Sequence, residues 1–237
     1  MRPSLLYLAM LFQAAAGAAE CRLDFDPRVP QRIELYTSEG CSSCPPADRW
    51  LSALPQHDER LLLAFHVDYW DDLGWRDRFA DARHSERQRA TAARWPRAVV
   101  YTPAVVIDGD EARAWHNALP VPAGARGEAL SLALREEDRA MQLSIEVPRG
   151  LHAYAAITES GLLTQVRAGE NRGNTLAHDH VVRAYAGPVD GLARLRLALP
   201  RDLARSQARL LVWLEDAEGH TRHGLQRALD ACQQLTP

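Results

Sequence analysis

Hydrophobic and polar positions fall into two regimes that meet near residue 139. In the first, strand-like and helix-like periods alternate. Arg32 to Thr37 (RIELYT) alternates apolar and polar residues, the period of a strand. Asp48 to Leu54 places Trp50, Leu51 and Leu54 at helical spacing. Leu61 to Asp68 (LLLAFHVD) is a continuous apolar run of strand length, of the kind a sheet buries on both faces. Asp77 to Arg94 is charged, bears alanines and lacks alternation, which predicts a helix. Ala104 to Ile107 predicts a strand, Asp108-Gly109-Asp110 a tight turn, and Ala112 to His116 the partner strand of a hairpin. After a loop marked by Pro120, Pro122, Gly124 and Gly127, Glu128 to Glu137 reads as a closing helix. The order β-α-β-α-β-β-α predicts an α/β unit with a mixed sheet.

Beyond Met141 the pattern is β-rich. Met141 to Val147, Leu151 to Thr158, His180 to Tyr185, Ala193 to Leu199 and Ala208 to Glu215 are short runs of strand character. Gly150, Gly161, Gly169, Gly187-Pro188 and Gly219 punctuate them, which predicts a small sandwich. The boundary near residue 139 is soft enough for one sheet to run across it.

The N-terminus belongs to neither regime. Arg2, the apolar run Leu5 to Phe12, and the small residues Ala14 to Ala19 have the layout of a secretory leader cleaved near Ala18 or Ala19. Glu20 directly before Cys21 speaks against a lipoprotein signal. No later segment approaches the roughly 20 apolar residues of a membrane-spanning helix. The organisation expected is a leader over 1–19, an α/β domain over 20–139 and a β-rich domain over 140–237. The mature protein is expected to be periplasmic or secreted and free of the membrane.

Composition removes several classes of function. The 237 residues carry 46% hydrophobic and 25% charged side chains with a net charge of −3, an ordinary globular balance with no nucleic-acid signature. Every basic residue except the histidines is arginine, so lysine Schiff-base chemistry and a P-loop lysine are excluded. Arginines between Arg76 and Arg97 alternate with Asp77, Asp81 and Glu86, the pattern of a solvated helix face. No cofactor is indicated.

Export changes the reading of the four cysteines, because thiols outside the cytoplasm tend to pair. Cys21 and Cys232 lie near the two mature ends and are expected to form a structural disulfide, worth about 4–5 kcal/mol at most in the chain-entropy model. Two free thiols, or intermolecular links, are the alternative. Cys41-Ser42-Ser43-Cys44 lies between a strand and a helix. There the first sulfur meets unpaired backbone N–H groups and the positive end of the helix dipole, which favour thiolate. Pro45 and Pro46 suit a first helical turn, whereas the charge of Glu39 opposes the thiolate. The thiolate is the nucleophile of disulfide exchange, so Cys41 is the expected exchanging residue and Cys44 the resolving one. Thr102-Pro103 directly before a strand matches the cis-proline of thioredoxin-like folds, where the turned backbone faces the dithiol and pairs with a substrate chain.

Four segments carry a resemblance: IELYTSEGCSSCPPADRWL, FHVDYWDDLGW, VYTPAVVIDG and GENRGNTLAHDHVVRAY. They resemble a bacterial family of secreted thioredoxin-like proteins catalogued as domain of unknown function 1223. The resemblance implies a thioredoxin-like α/β fold with a mixed sheet flanked by helices and a β-rich, sandwich-like C-terminal extension, its redox pair at Cys41 and Cys44. It implies no substrate. Ser-Ser between the cysteines, Gly40 before Cys41 and the lack of any lysine depart from ordinary thioredoxins and argue against general disulfide reduction.

Around this core stand further candidates. His66 and Asp68 end a strand, where ligands of open α/β sheets collect. His66 suits proton transfer to Cys44 or a hydrogen-bonded place in the core. Thr102, Tyr69, Trp70 and Trp75 suit a substrate groove or the core. His178-Asp179-His180 on a strand would put two imidazoles on one face, yet two ligands make no metal site, and a polar loop leading into a strand is the plainer reading. The function expected is a thiol–disulfide oxidoreductase with Cys41, Cys44 and Pro103 as catalytic residues and protein or small-molecule thiols and disulfides as partners. Two alternatives stand beside it: a copper-binding or copper-delivery module using Cys41, Cys44 and His66, and a binding protein in which the pair is a permanent disulfide.

Overall fold

The structure is a computed structural model and describes residues 20–25, 27–55, 59–116 and 129–231. The expected leader and Cys232 lie outside the described residues. Three sheets and two α-helices make up a sheet-dominated α/β architecture.

The core of the first regime is a pair of parallel strands, β2 (Gln31–Thr37) and β3 (Arg60–His66), buried along their whole length. Their continuous apolar character follows from being covered on both faces. On one face lies helix α1 (Pro45–Ala53), whose Ala47 and Leu51 pack with Leu54 on Ile33, Leu35, Leu62 and Ala64. Toward the other face, Tyr36, Leu61, Leu63 and Phe65 form a core with Ala92 of helix α2 (Ala82–Ala92) and Trp95. Helix α2 starts later than the charge pattern predicts, because the Asp81 side chain accepts a hydrogen bond from the Arg83 N–H and caps it. Strand β4 (Ala104–Ile107) pairs antiparallel with β2. The Asp108-Gly109 turn leads into a strand of only two residues, β5 (Asp110–Glu111), and residues 113–116 form turns in place of the longer hairpin partner expected.

Of the helix predicted over Glu128–Glu137, Glu128 lies outside the described residues and Ser131–Glu137 is a strand. Leu132 and Leu134 of β6 (Ser131–Glu137) are buried while Arg135 is exposed, a period of two, and the backbone pairs with β1 (Cys21–Asp24) and β7 (Ala140–Glu146). With β12 (Leu192–Ala198), these strands form a four-stranded sheet ordered β1-β6-β7-β12.

The large sheet runs across the chain midpoint. Its order is β14-β13-β8-β11-β3-β2-β4-β5, with β8 (His152–Glu159), β11 (Val181–Val189), β13 (Ala208–Glu215) and β14 (Thr221–Ala228) joining the strands of the first regime. The seam is short: β11 pairs parallel with β3 at Val181 and Ala64. The four-stranded sheet lies against this half, and Leu132, Leu134, Leu143, Ile145, Leu195 and Leu197 pack on Ala155, Ile157, Leu210, Val212 and Leu214. Gly187-Pro188, read from the sequence as a break, lies inside β11 at a register shift, where a proline without an N–H is tolerated. Strands β9 (Leu162–Gln165) and β10 (Thr175–His178) pair only with each other, as a two-stranded arm.

Arg87 and Asp77 correct the expectation of a solvated face, since both are buried. Arg87 of α2 and Arg32 of β2 bracket Glu34 and Glu215, with contacts of 2.5 and 3.1 Å from Arg87 and 2.7 and 2.8 Å from Arg32. The Arg87 guanidinium also lies 4.7 Å from the ring centre of Tyr154 and 5.2 Å from that of Trp213. Burial pushes the Glu215 carboxyl up, but Arg87 and Arg32 hold it at about 2.

Candidate functional site

Cys41 and Cys44 are joined in a disulfide, with Cα atoms 5.5 Å apart. Cys44 is the N-cap of α1, and Pro45 and Pro46 open the helix without wasting a donor. The Ala47 and Asp48 N–H groups both donate to the Cys44 carbonyl. The pair therefore stands at the positive end of α1, as its spacing predicts. Cys21 is also disulfide-bonded, and its expected partner Cys232 lies outside the described residues.

The Thr102–Pro103 peptide is cis. It precedes Ala104, which pairs with Tyr36 near the end of β2, the end from which the Cys41 loop departs. Trp70 connects the two segments: its indole N–H donates to Thr102 Oγ1 at 2.9 Å, and its Cβ crowds the site where a Cβ on Gly40 would lie. Tyr69 donates through its hydroxyl to Gln88, and Asp68 accepts from the Ser85 hydroxyl. Tyr69, Trp70 and Asp68 are half-buried and tied to the scaffold.

Beside α1 lies a buried set of ionisable side chains. His66 Nδ1 is 2.6 Å from Asp77 Oδ2, which also accepts the Glu39 N–H. Glu39 in turn accepts the Trp75 indole N–H and lies 3.3 Å from His178 Nε2. The His66 and His178 rings meet edge to face, 5.0 Å between centres. Burial alone would favour neutral His66, but the Asp77 carboxylate overcomes it and raises the histidine above its usual range. For Asp48, burial pushes the carboxyl up against the opposing pull of His66 and His178. His66 is thus a hydrogen-bonded core histidine whose pKa Asp77 raises.

His180 does not share a strand face with His178. It sits at a left-handed turn with φ 57° between β10 and β11, and burial lowers its pKa to about 4. Among the described residues, no three His, Cys, Asp or Glu side chains are arranged to hold a metal ion.

Glu170 and Asn171 have no chemistry evident from the sequence. Their turn, between β9 and β10, folds onto the dithiol loop. Glu170 Oε2 accepts from the Ser42 N–H at 3.1 Å and from the Ser42 hydroxyl at 2.6 Å. The buried Asn171 amide donates to the carbonyls of Glu39 and Cys41, both at 2.9 Å. Cys41 and Cys44 are each 0% exposed. The partners lie about 130 residues apart in sequence, and the sequence marks this segment only through its place in the family resemblance.

Fold and site define a sheet-dominated α/β protein with a CxxC disulfide at a helix N-terminus. The chain belongs to the family described as protein of unknown function (DUF1223), whose profile matches residues 32–215. It is similar in fold to the crystal structure of protein AGR_C_4864 from Agrobacterium tumefaciens, at 23% identity and a TM-score of 0.56, over 87% of this chain and 97% of that one. It is also similar to HBP35 of Porphyromonas gingivalis, at 12% identity and a TM-score of 0.51, over 88% of this chain and 77% of that one. No match is found among curated proteins.

Proposed function

We propose that the chain is an exported, thioredoxin-like thiol–disulfide oxidoreductase working through Cys41 and Cys44. The observation that carries this reading is the disulfide seated at the N-terminus of α1. A partner thiolate attacks Cys41 Sγ, the Cys41–Cys44 bond breaks, and Cys44 leaves as a thiolate that takes up a proton. A second partner thiolate then releases Cys41, so two electrons and two protons pass from the partner dithiol, which becomes a disulfide. The reverse sequence, starting from the Cys41 and Cys44 thiols, reduces a partner disulfide to a dithiol and restores the Cys41–Cys44 bond. Helix-end electrostatics favour both thiolates.

His66, raised by Asp77 against its burial, and Asp48, raised by burial, are the groups we assign to proton transfer beside α1. Pro103 and Thr102 present the substrate strand, and the partners are protein or small-molecule thiols and disulfides. Leader cleavage near Ala18 or Ala19 delivers the chain to the periplasm or the medium, and the mass of the mature protein checks it.

Replacing Cys44 with alanine is expected to trap mixed disulfides through Cys41, and replacing Cys41 to abolish them, as read on non-reducing gels. Absence of exchange with any disulfide substrate counts against the proposal. Burial of both sulfurs favours a second reading, a permanent structural disulfide. A reduction potential below about −300 mV would select it.

A further inference from the structure

We infer that the turn of residues 166–174 is a cap on the Cys41–Cys44 disulfide, making the pair answer to a polypeptide partner and resist small thiols. The inference rests on reading that disulfide as exchangeable, but its geometry stands by itself.

The turn is closed at its base by hydrogen bonds from the Gly173 N–H to the Val166 carbonyl and from the Val166 N–H to the Asn174 carbonyl. At its tip, Glu170 and Asn171 make four hydrogen bonds to the segment from Glu39 to Ser42. Gly169 packs on Trp75, where an added Cβ would lie 3.0 Å from the Trp75 Cβ, and Trp75 is itself bonded to Glu39. The cap, the dithiol loop and the buried acid–histidine cluster are one connected unit. Disulfide exchange requires a sulfur to approach along the S–S axis, and sulfurs with no exposed surface leave no such path. A path must first open, and we assign that opening to the cap, which holds the Cys41 loop through four hydrogen bonds.

Three of the four hydrogen bonds go to backbone groups: the carbonyls of Glu39 and Cys41 and the N–H of Ser42. An extended peptide chain brings matching donors and acceptors and so replaces the cap at little cost. A small thiol such as dithiothreitol brings hydroxyls but no extended backbone to match them. The cap sits on the β9–β10 arm, which joins neither large sheet, so its tip can open without breaking a ladder of the core. This assigns the arm of the β-rich half a task at the dithiol.

The test uses the oxidised full-length mature protein and dithiothreitol as reductant, whose two thiols become a cyclic disulfide as Cys41 and Cys44 become thiols. The rate is read by mass after alkylation, for wild type, Glu170→Ala, Asn171→Ala and the double variant. Each single variant removes two hydrogen bonds and is expected to be reduced about tenfold faster, the factor that loss of two bonds of modest net strength corresponds to, and the double variant faster still. Wild-type rates in a double variant with an unchanged melting temperature overturn the cap. If Asn171→Ala fails to fold, Glu170→Ala decides alone, because Glu170 is exposed and touches the loop only through Ser42. Accelerated variants of a protein that exchanges with no substrate would leave the cap standing and remove the oxidoreductase reading.

Discussion

Arg87 shows what a helix-surface pattern conceals. Its neighbours Glu86 and Arg89 are exposed, and a run of arginines on α2 resembles a solvated face. Its partners Glu34 and Glu215 come from strands 53 and 128 residues away, so no local spacing could reveal them. Removing one member of a buried ion cluster strands the rest. Arg87→Ala is expected to cost about 3–5 kcal/mol in urea unfolding, against about 0.5 kcal/mol or less for the exposed Arg89→Ala. Equal effects would contradict the buried cluster. Cys41, Cys44 and the prolines were legible because a helix start is a local event. Glu170, Asn171 and the His178–Glu39 contact were not, since each joins segments that meet only in the finished fold.

Most strands were legible from their period. Those missed outright, β1, β9, β10 and β14, are short or polar and owe their form to a neighbouring strand or to packing, while β5 was placed too late in the chain and β6 was read as a helix. The Glu128–Glu137 stretch is the instructive error. Its residues have good helix propensity, yet Leu132 and Leu134 alternate with Ala133 and Arg135, and tertiary pairing overrides propensity. The Asp108-Gly109 turn was read correctly, and Gly109 is required there. Its φ is 92°, and a Cβ would lie 2.7 Å from the Gly219 carbonyl oxygen. Gly109→Ala is expected to lower stability by about 1–3 kcal/mol, seen as a lower melting temperature. An unchanged melting temperature would mean that the turn does not pack against Gly219.

At the scale of the molecule, one sheet spans both regimes of the sequence, and the buried ionisable groups on it and around it make stability depend on pH. His84 and His180 are kept neutral by burial, each with a pKa of about 4 against an ordinary 6.5. The unfolded chain therefore binds more protons, and stability is lost as pH falls from about 6.5 through about 4. Glu215, at about 2 against an ordinary 4.5, adds a second loss as pH falls from about 4.5 through about 2. His66 acts in the opposite sense: raised by Asp77, it stabilises below its unfolded pKa and loses that contribution as pH rises through the folded one. Urea unfolding at pH 7, 5 and 3 should show stability falling by several kcal/mol, and a flat profile would contradict these assignments.

The central claim concerns two sulfurs, and it is tested most directly by equilibrating the Cys41–Cys44 pair with glutathione or dithiothreitol buffers of known ratio. The account predicts a two-electron potential between about −300 and −120 mV, the range of exchanging dithiols. A value below about −300 mV would make the bond a permanent brace and contradict the oxidoreductase.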